Sequence, residues 1–157
     1  ALKGDGTIWT TGFANYGQPG HGNVTTISTL TQVGSLTTWA KISVGANHTI
    51  ATTTSGTMFG WGSGSNGRLG DGDDVNRSSP VQIGALTTWS KLFLGFGSDT
   101  PHAIKTDGTL WTWGRANNGT LGHGNNINVS SPVQVGSETD WTSGAIGAAS
   151  LLAIRES

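Results

Sequence analysis

Cysteine is absent from the 157 residues, which excludes disulfide staples, thiolate metal sites and a thiol nucleophile. Charge is scarce as well. Asp, Glu, Lys and Arg make up 11% of the chain, where an average domain has about 25%. Eight basic residues face nine acidic ones, a net charge of -1, so there is no basic stripe for nucleic acid or an anionic membrane. No apolar run approaches the roughly 18 residues that a membrane-spanning helix needs, so membrane insertion is not expected. No segment sustains the i, i+3, i+4 spacing of an amphipathic helix. Glycine, by contrast, fills 26 positions and tryptophan seven. Disordered chains are poor in aromatic residues, so this composition points to an ordered all-β protein.

Self-comparison explains the glycine. Gly4-Asp5-Gly6-Thr7-Ile8-Trp9 returns as Thr54-Ser55-Gly56-Thr57-Met58-Phe59 and as Thr106-Asp107-Gly108-Thr109-Leu110-Trp111. Asn15 to Gly22 returns as Asn66 to Gly72 and Asn118 to Gly124, and Gln32-Val33-Gly34 as Gln82-Ile83-Gly84 and Gln134-Val135-Gly136. Trp39, Trp89 and Trp141 recur at spacings of 50 and 52. These are three repeats, approximately 1–52, 53–104 and 105–157, with no linker between them.

Each repeat reads as four short strands. Trp39 to Gly45 alternates Ile42 and Val44 with Lys41 and Ser43, the period of two that buries one face. His48 to Thr53, matched by Ser150 to Arg155, runs into an Asp-Gly or Ser-Gly hairpin turn. Thr57 to Gly62 and Thr109 to Gly114 follow, then a long loop. The last strand begins at Pro80 or Pro132, as suits a sheet edge. Four strands per repeat of about 50 residues is the pattern of a β-propeller blade, and three four-stranded blades are expected. Three do not close a ring. The chain is therefore expected to be part of a larger propeller, completed by the remaining blades of the same polypeptide or by self-assembly with other chains.

The linked motifs Asp107-Gly-Thr-Leu-Trp-Thr-Trp-Gly114, Asn118-Gly-Thr-Leu-Gly-His-Gly124 and Ser131-Pro-Val-Gln-Val-Gly136 resemble the repeat of the regulator of chromosome condensation family over essentially the whole chain. The resemblance implies a propeller of about seven blades. The family's His-Thr pair stands at His48-Thr49, with Thr100 and Ser150 as counterparts; two extra residues displace His102. The first repeat departs at Thr11, where the others have Trp61 and Trp113, and at Pro19, where they have Leu69 and Leu121. The family's fold serves exchange factors for a GTPase, secreted enzyme inhibitors and bacterial or phage surface proteins, so fold alone does not fix function.

Chemistry is thinly represented. There is no Gly-x-Ser-x-Gly elbow and no phosphate-binding Gly-x-x-x-x-Gly-Lys-Ser/Thr loop. Asp5 and Asp107 are assigned to hairpin turns, while Asp99, Glu138 and Asp140 read as unpaired loop acids. His21, Asp71 and His123 occupy equivalent loop positions and are expected as an exposed polar band too widely spaced for a metal. His48 is expected to hydrogen-bond backbone at a strand start. The acids of Asp71-Gly72-Asp73-Asp74 lack the order and the bidentate glutamate of a calcium loop, and read as a solvated turn. The recurring tryptophans are assigned to packing. The reading is a non-enzymatic structural or interaction module without cofactor or metal, on an extracellular or virion surface such as a phage tail or fibre. Its polar loops would meet a protein or glycan, with the exposed loop residues Tyr16, Arg68 and Asn117 as candidate contacts. The alternatives are a guanine-nucleotide exchange scaffold and a secreted enzyme inhibitor.

Overall fold

The computed structural model describes residues 1–95, 98–146 and 151–155. In chain order its strands are β1 (Trp9–Gly12), β2 (Ile27–Gln32), β3 (Trp39–Val44), β4 (His48–Thr53), β5 (Met58–Gly62), β6 (Arg77–Gln82), β7 (Trp89–Phe93), β8 (His102–Lys105), β9 (Leu110–Gly114), β10 (Val129–Gln134), β11 (Trp141–Ile146) and β12 (Leu151–Arg155). All pairings are antiparallel between chain neighbours, giving two four-stranded meanders, β3-β4-β5-β6 and β7-β8-β9-β10. Before them β1 and β2 form the outer half of a blade; after them β11 and β12 form an inner half. The expected three four-stranded blades thus take the form of two whole blades and two halves. The first strands of successive blades, β3, β7 and β11, lie next to one another, so they form the inner edge of the fan. Ser150, the counterpart of His48, lies outside the described residues.

The core sits between blades. Ile50, Met58 and Ile83 of one blade pack on Trp89, Ala103 and Trp113 of the next. Likewise Ile8 and Val33 of the β1–β2 half-blade pack on Trp39, Ala51 and Trp61. Trp39 meets Phe59 edge-on at 5.2 Å and Trp89 meets Trp111 at 5.9 Å, the arrangement the ring quadrupole favours. The assignment of the tryptophans to packing therefore holds for the buried Trp39, Trp61, Trp89 and Trp113, with Trp111 packed against them. Val44, expected on a buried face, is instead 57% exposed beside Phe13 and Leu30 in a groove of about 260 Å³ along the β1–β2 half-blade. The fourth strand differs too: β6 and β10 begin three residues before the proline, which sits where the ladder is interrupted by a register shift. A missing amide is tolerated at such an irregular edge.

The two Asp-Gly hairpin turns are built alike. Asp107 accepts hydrogen bonds from the Thr109 amide at 3.0 Å and its hydroxyl at 2.6 Å, and that hydroxyl accepts from Trp111 Nε1 at 2.8 Å. Asp5, Thr7 and Trp9 repeat the chain of bonds, and the donors from Thr7 hold the Asp5 carboxyl down at about 2. Gly108 takes φ +77°, and a Cβ there would overlap the Thr139 carbonyl oxygen. Gly108→Ala is expected to destabilise by about 2–4 kcal/mol, from left-handed strain plus that clash. Urea midpoints should show it, with Gly4→Ala, which meets nothing within 4 Å, near neutral.

Candidate interaction face

In a meander the turns alternate between the two ends of the sheet, so the β3–β4 and β5–β6 loops share one end of the blade, with the hairpins at the other. The long β5–β6 loop and its counterparts dominate this face. Each opens with two consecutive turns closed by glycine amides: Gly17 to Ala14 and Gly20 to Gly17, Gly67 to Gly64 and Gly70 to Gly67, Gly119 to Ala116 and Gly122 to Gly119. The second and third include short 3-10 turns at Ser65–Gly67 and Asn117–Gly119, where Asn66 and Asn118 adopt left-handed φ of 60° and 57°. Asparagine tolerates that conformation better than most side chains.

The first two of these loops are clasps that reach the next blade, and the third repeats their turns. The Gly22 amide donates to the Ser78 carbonyl at 2.7 Å, and the Gly72 amide to Ser130 at 2.9 Å. Trp61 Nε1 donates to the Gln18 carbonyl at 2.9 Å, and Trp113 Nε1 to Arg68 at 3.1 Å. Gly70 lies flat on the Trp113 indole, where a Cβ would stand 2.7 Å from Nε1. On the inner strands, Lys41 and Lys91 add amines on the carbonyls of Ser90 and Thr142.

Beyond the clasps, loops 21–30, 71–79 and 123–131 look unrelated in sequence, yet they share a scaffold. Asn23, Asp73 and Asn125 each accept the amide two residues on, at 2.9, 2.8 and 2.9 Å. Asn76 and Asn128 cap the amides of Gly64 and Ala116 at 2.9 and 3.0 Å. Side-chain oxygens of Asn and Asp mimic a backbone turn, so a change of residue between loops leaves the frame intact.

The three candidate contacts all lie on this face, in different states. Tyr16 is 41% exposed. Asn117 is exposed at the start of its turn and, with its amide oriented to oppose donors, accepts from Arg115 Nη2 at 2.6 Å and Nε at 2.9 Å. Arg68, expected to be exposed, is buried at 6%. Its Nη1 lies 2.9 Å from the Asp99 carboxylate in the next blade, and its Nε donates to the Ser65 carbonyl. Burial pulls the Arg68 guanidinium below its ordinary value, and Asp99 opposes that shift. Arg115, half exposed, stands 3.9 Å from the other Asp99 oxygen. A line of polar groups thus runs from Arg68 through Asp99 and Arg115 to Asn117.

Asp99 and Arg115 were invisible as a pair in the sequence. Nothing in their 16-residue separation marks a contact, and Arg68 comes from another blade. The other acids called unpaired are paired as well, Glu138 and Asp140 with Arg155 at 3.9 and 3.6 Å. Arg77 holds Asp71 and Asp73 at 2.6 Å each. This offsets part of the charge of the acidic turn and buries the Asp71 side chain to 3% exposure, so His21, Asp71 and His123 do not form an exposed band. Among the described residues no group of three potential ligands is close enough to hold a metal.

The histidines fall into two classes. Thr10 and Thr112 donate their hydroxyls to the carbonyls of Pro19 and Leu121, at 2.6 and 2.7 Å, and sit 2.8 and 2.9 Å from Nε2 of His21 and His123. With the hydroxyl proton already used, the imidazole Nε2 must carry the donor hydrogen. His48 and His102 are the second class. Both are 1% exposed with no hydrogen-bond partner on either ring nitrogen. That overturns the expectation that His48 bonds backbone: its ring instead packs on Gly45. Desolvation holds His48 down at about 3, with the Arg68 charge adding to it, and His102 at about 4.

Comparison with known proteins supports the fold. No curated protein matches the chain. Among solved structures, human WBSCR16 aligns with a TM-score of 0.85 and 19% identity, over 98% of this chain and 41% of that one. Prp20p of Saccharomyces cerevisiae, described with its binding to Gsp1p and histones, gives 0.83 and 16%, over 100% and 42%. Yeast RCC1 (Prp20) in its structure with Kap60 gives 0.83 and 14%, over 100% and 40%. The chain spans about two fifths of these propellers. The profile of the Regulator of chromosome condensation (RCC1) repeat matches residues 5–52, 55–95 and 107–154, and a second RCC1-repeat profile matches 39–68. The chain belongs to the RCC1 repeat family.

Proposed function

We propose that this chain is a non-enzymatic interaction module whose clasp face presents a rigid polar surface to a protein or glycan. The observation that carries the reading is the shared loop frame: side-chain-capped turns hold the tips in place while the residues on them change from blade to blade. Preorganised loops lose little entropy on binding, and variation on a fixed scaffold is how loops acquire specificity. Protein partners are supported by the propellers it resembles, described with Gsp1p, histones and Kap60. The neutral loops rich in Asn, Thr, Ser and Gly suit an extracellular or virion surface, such as a tail or fibre component that must stay soluble at high copy number.

The test is site-directed photo-cross-linking in the producing cells, with the probe placed at Tyr16, at Asn117 and, as a control, at Ser55 on the hairpin end. A discrete adduct from Tyr16 and Asn117 that Arg115→Glu removes is the expected result. Adducts only from Ser55, or turnover of a substrate by the purified protein, would overturn the reading. Acceleration of nucleotide release from a GTPase would identify the exchange-scaffold alternative.

A further inference from the structure

Two buried imidazoles, His48 and His102, lie beneath the clasps, and neither ring nitrogen of either makes a well-formed hydrogen bond. His48 begins β4, with Gln18 and Pro19 of the first clasp beside it in the same groove. The charged group facing it is Arg68 of the second clasp. His102 stands in β8 where Ile50 stands in β4, since their cross-strand partners Thr112 and Gly60 are repeat equivalents. The Thr120 carbonyl of the third clasp and the Thr100 carbonyl lie near it and, as acceptors, offset part of the cost of a proton there, but desolvation outweighs them and the titratable group facing it, His123, adds to that cost. A neutral imidazole is tolerated in such places. A charged one, with no carboxylate to meet it and Arg68 or His123 alongside, is costly to bury.

We propose that the clasp face is an acid-released latch: the clasps stay seated while His48 and His102 are neutral, and protonation of these rings lifts the clasps off the blades. Opening admits water to the ring, which is cheaper than enclosing a cation. The sign follows from proton linkage. The closed state holds its histidines neutral below the ordinary value of 6.5, so the open state binds more protons as pH falls. Closure is therefore full above about pH 6.5 and weakens up to tenfold per pH unit per histidine below it, until the closed-state rings themselves protonate. The inference does not depend on which partner the face binds.

Amide hydrogen exchange of the protein, corrected for the intrinsic rate at each pH, reads the latch at Gly22 and Gly72, whose amides bond across to Ser78 and Ser130 of the next blade, and at the Gly122 turn amide of the third clasp. Between pH 7 and pH 5 a clasp coupled to one histidine is expected to open about 25-fold more often, while the β4–β5 ladder stays protected. The variant His48→Thr with His102→Ile places at each site the residue that the other blade carries there, Thr100 and Ile50, and should exchange equally at both pH values. Unchanged clasp exchange in the parent protein, or the same acceleration in the variant, would overturn the latch. Should the variant fail to fold, NMR titration of the two rings decides. Rings that stay neutral to pH 5 and protonate only as clasp amides open support it, and rings that titrate near 6.5 with closed clasps overturn it.

Discussion

Trp113→Ala is expected to lower the unfolding free energy by about 3–5 kcal/mol, the range for removing a large buried aromatic. Trp113 has no exposed surface, packs on Trp89 at 6.3 Å and lies in the core that joins two blades. Its loss leaves a cavity lined by residues of both sheets. It also leaves the Arg68 carbonyl without its 3.1 Å donor, so the clasp loosens together with the core. Chemical denaturation followed by tryptophan fluorescence measures the total. Trp113→Phe separates the parts: it keeps most of the apolar contact and removes the donor, at a cost of about 1–3 kcal/mol for an unsatisfied buried group. Faster exchange at Gly72, whose amide bonds across to Ser130, in the phenylalanine variant, with little change in the sheet, would show that the indole N–H seats the clasp.

Arg68→Ala is the second large effect, expected at about 3 kcal/mol, the low end of the range for breaking a buried ion pair by removing one partner. The Arg68 side chain is 7% exposed and that of Asp99 20%, so solvent only partly rescues the orphaned carboxylate. Arg115, 3.9 Å from Asp99, can take up part of the charge, which places the effect at the low end. Arg68→Ala combined with Asp99→Ala should recover part of the loss, because no unpaired charge then remains. Thermal or urea unfolding of the single and double variants gives the coupling energy. A double variant no better than Arg68→Ala alone would mean that the contribution of Arg68 is its bond to Ser65 and its packing rather than the ion pair.

These two effects come from contacts between blades, and the sequence conveyed them unequally. That tryptophans recur at fixed positions was enough to assign them to packing, since a side chain repeated in every blade serves the scaffold. Which backbone carbonyl each indole would reach was not legible, because Gln18 and Trp61 are 43 residues apart and no local pattern ties them. Arg68 shows the opposite failure. As a charged residue in a glycine-rich loop it reads as exposed, and only the fold brings Asp99 over from the following blade to bury it. His48 was legible as a strand-start residue but not as a ring without partners. Hydrogen bonding depends on where neighbouring carbonyls point, and the repeat leaves that unstated.

The sequence by itself determined the all-β class, the repeat of about 50 residues, the hairpin turns and the four-stranded blade as the repeating unit. Each of these rests on interactions within a few residues of the chain: strand alternation, the left-handed φ that glycine supplies, and the aspartate that accepts from the threonine two positions on. Tertiary structure alone decided the clasps, the Arg68–Asp99–Arg115–Asn117 line and the dry burial of His48 and His102. These features join groups from different strands or neighbouring blades, and their energies depend on burial and orientation that exist only once the blades have stacked.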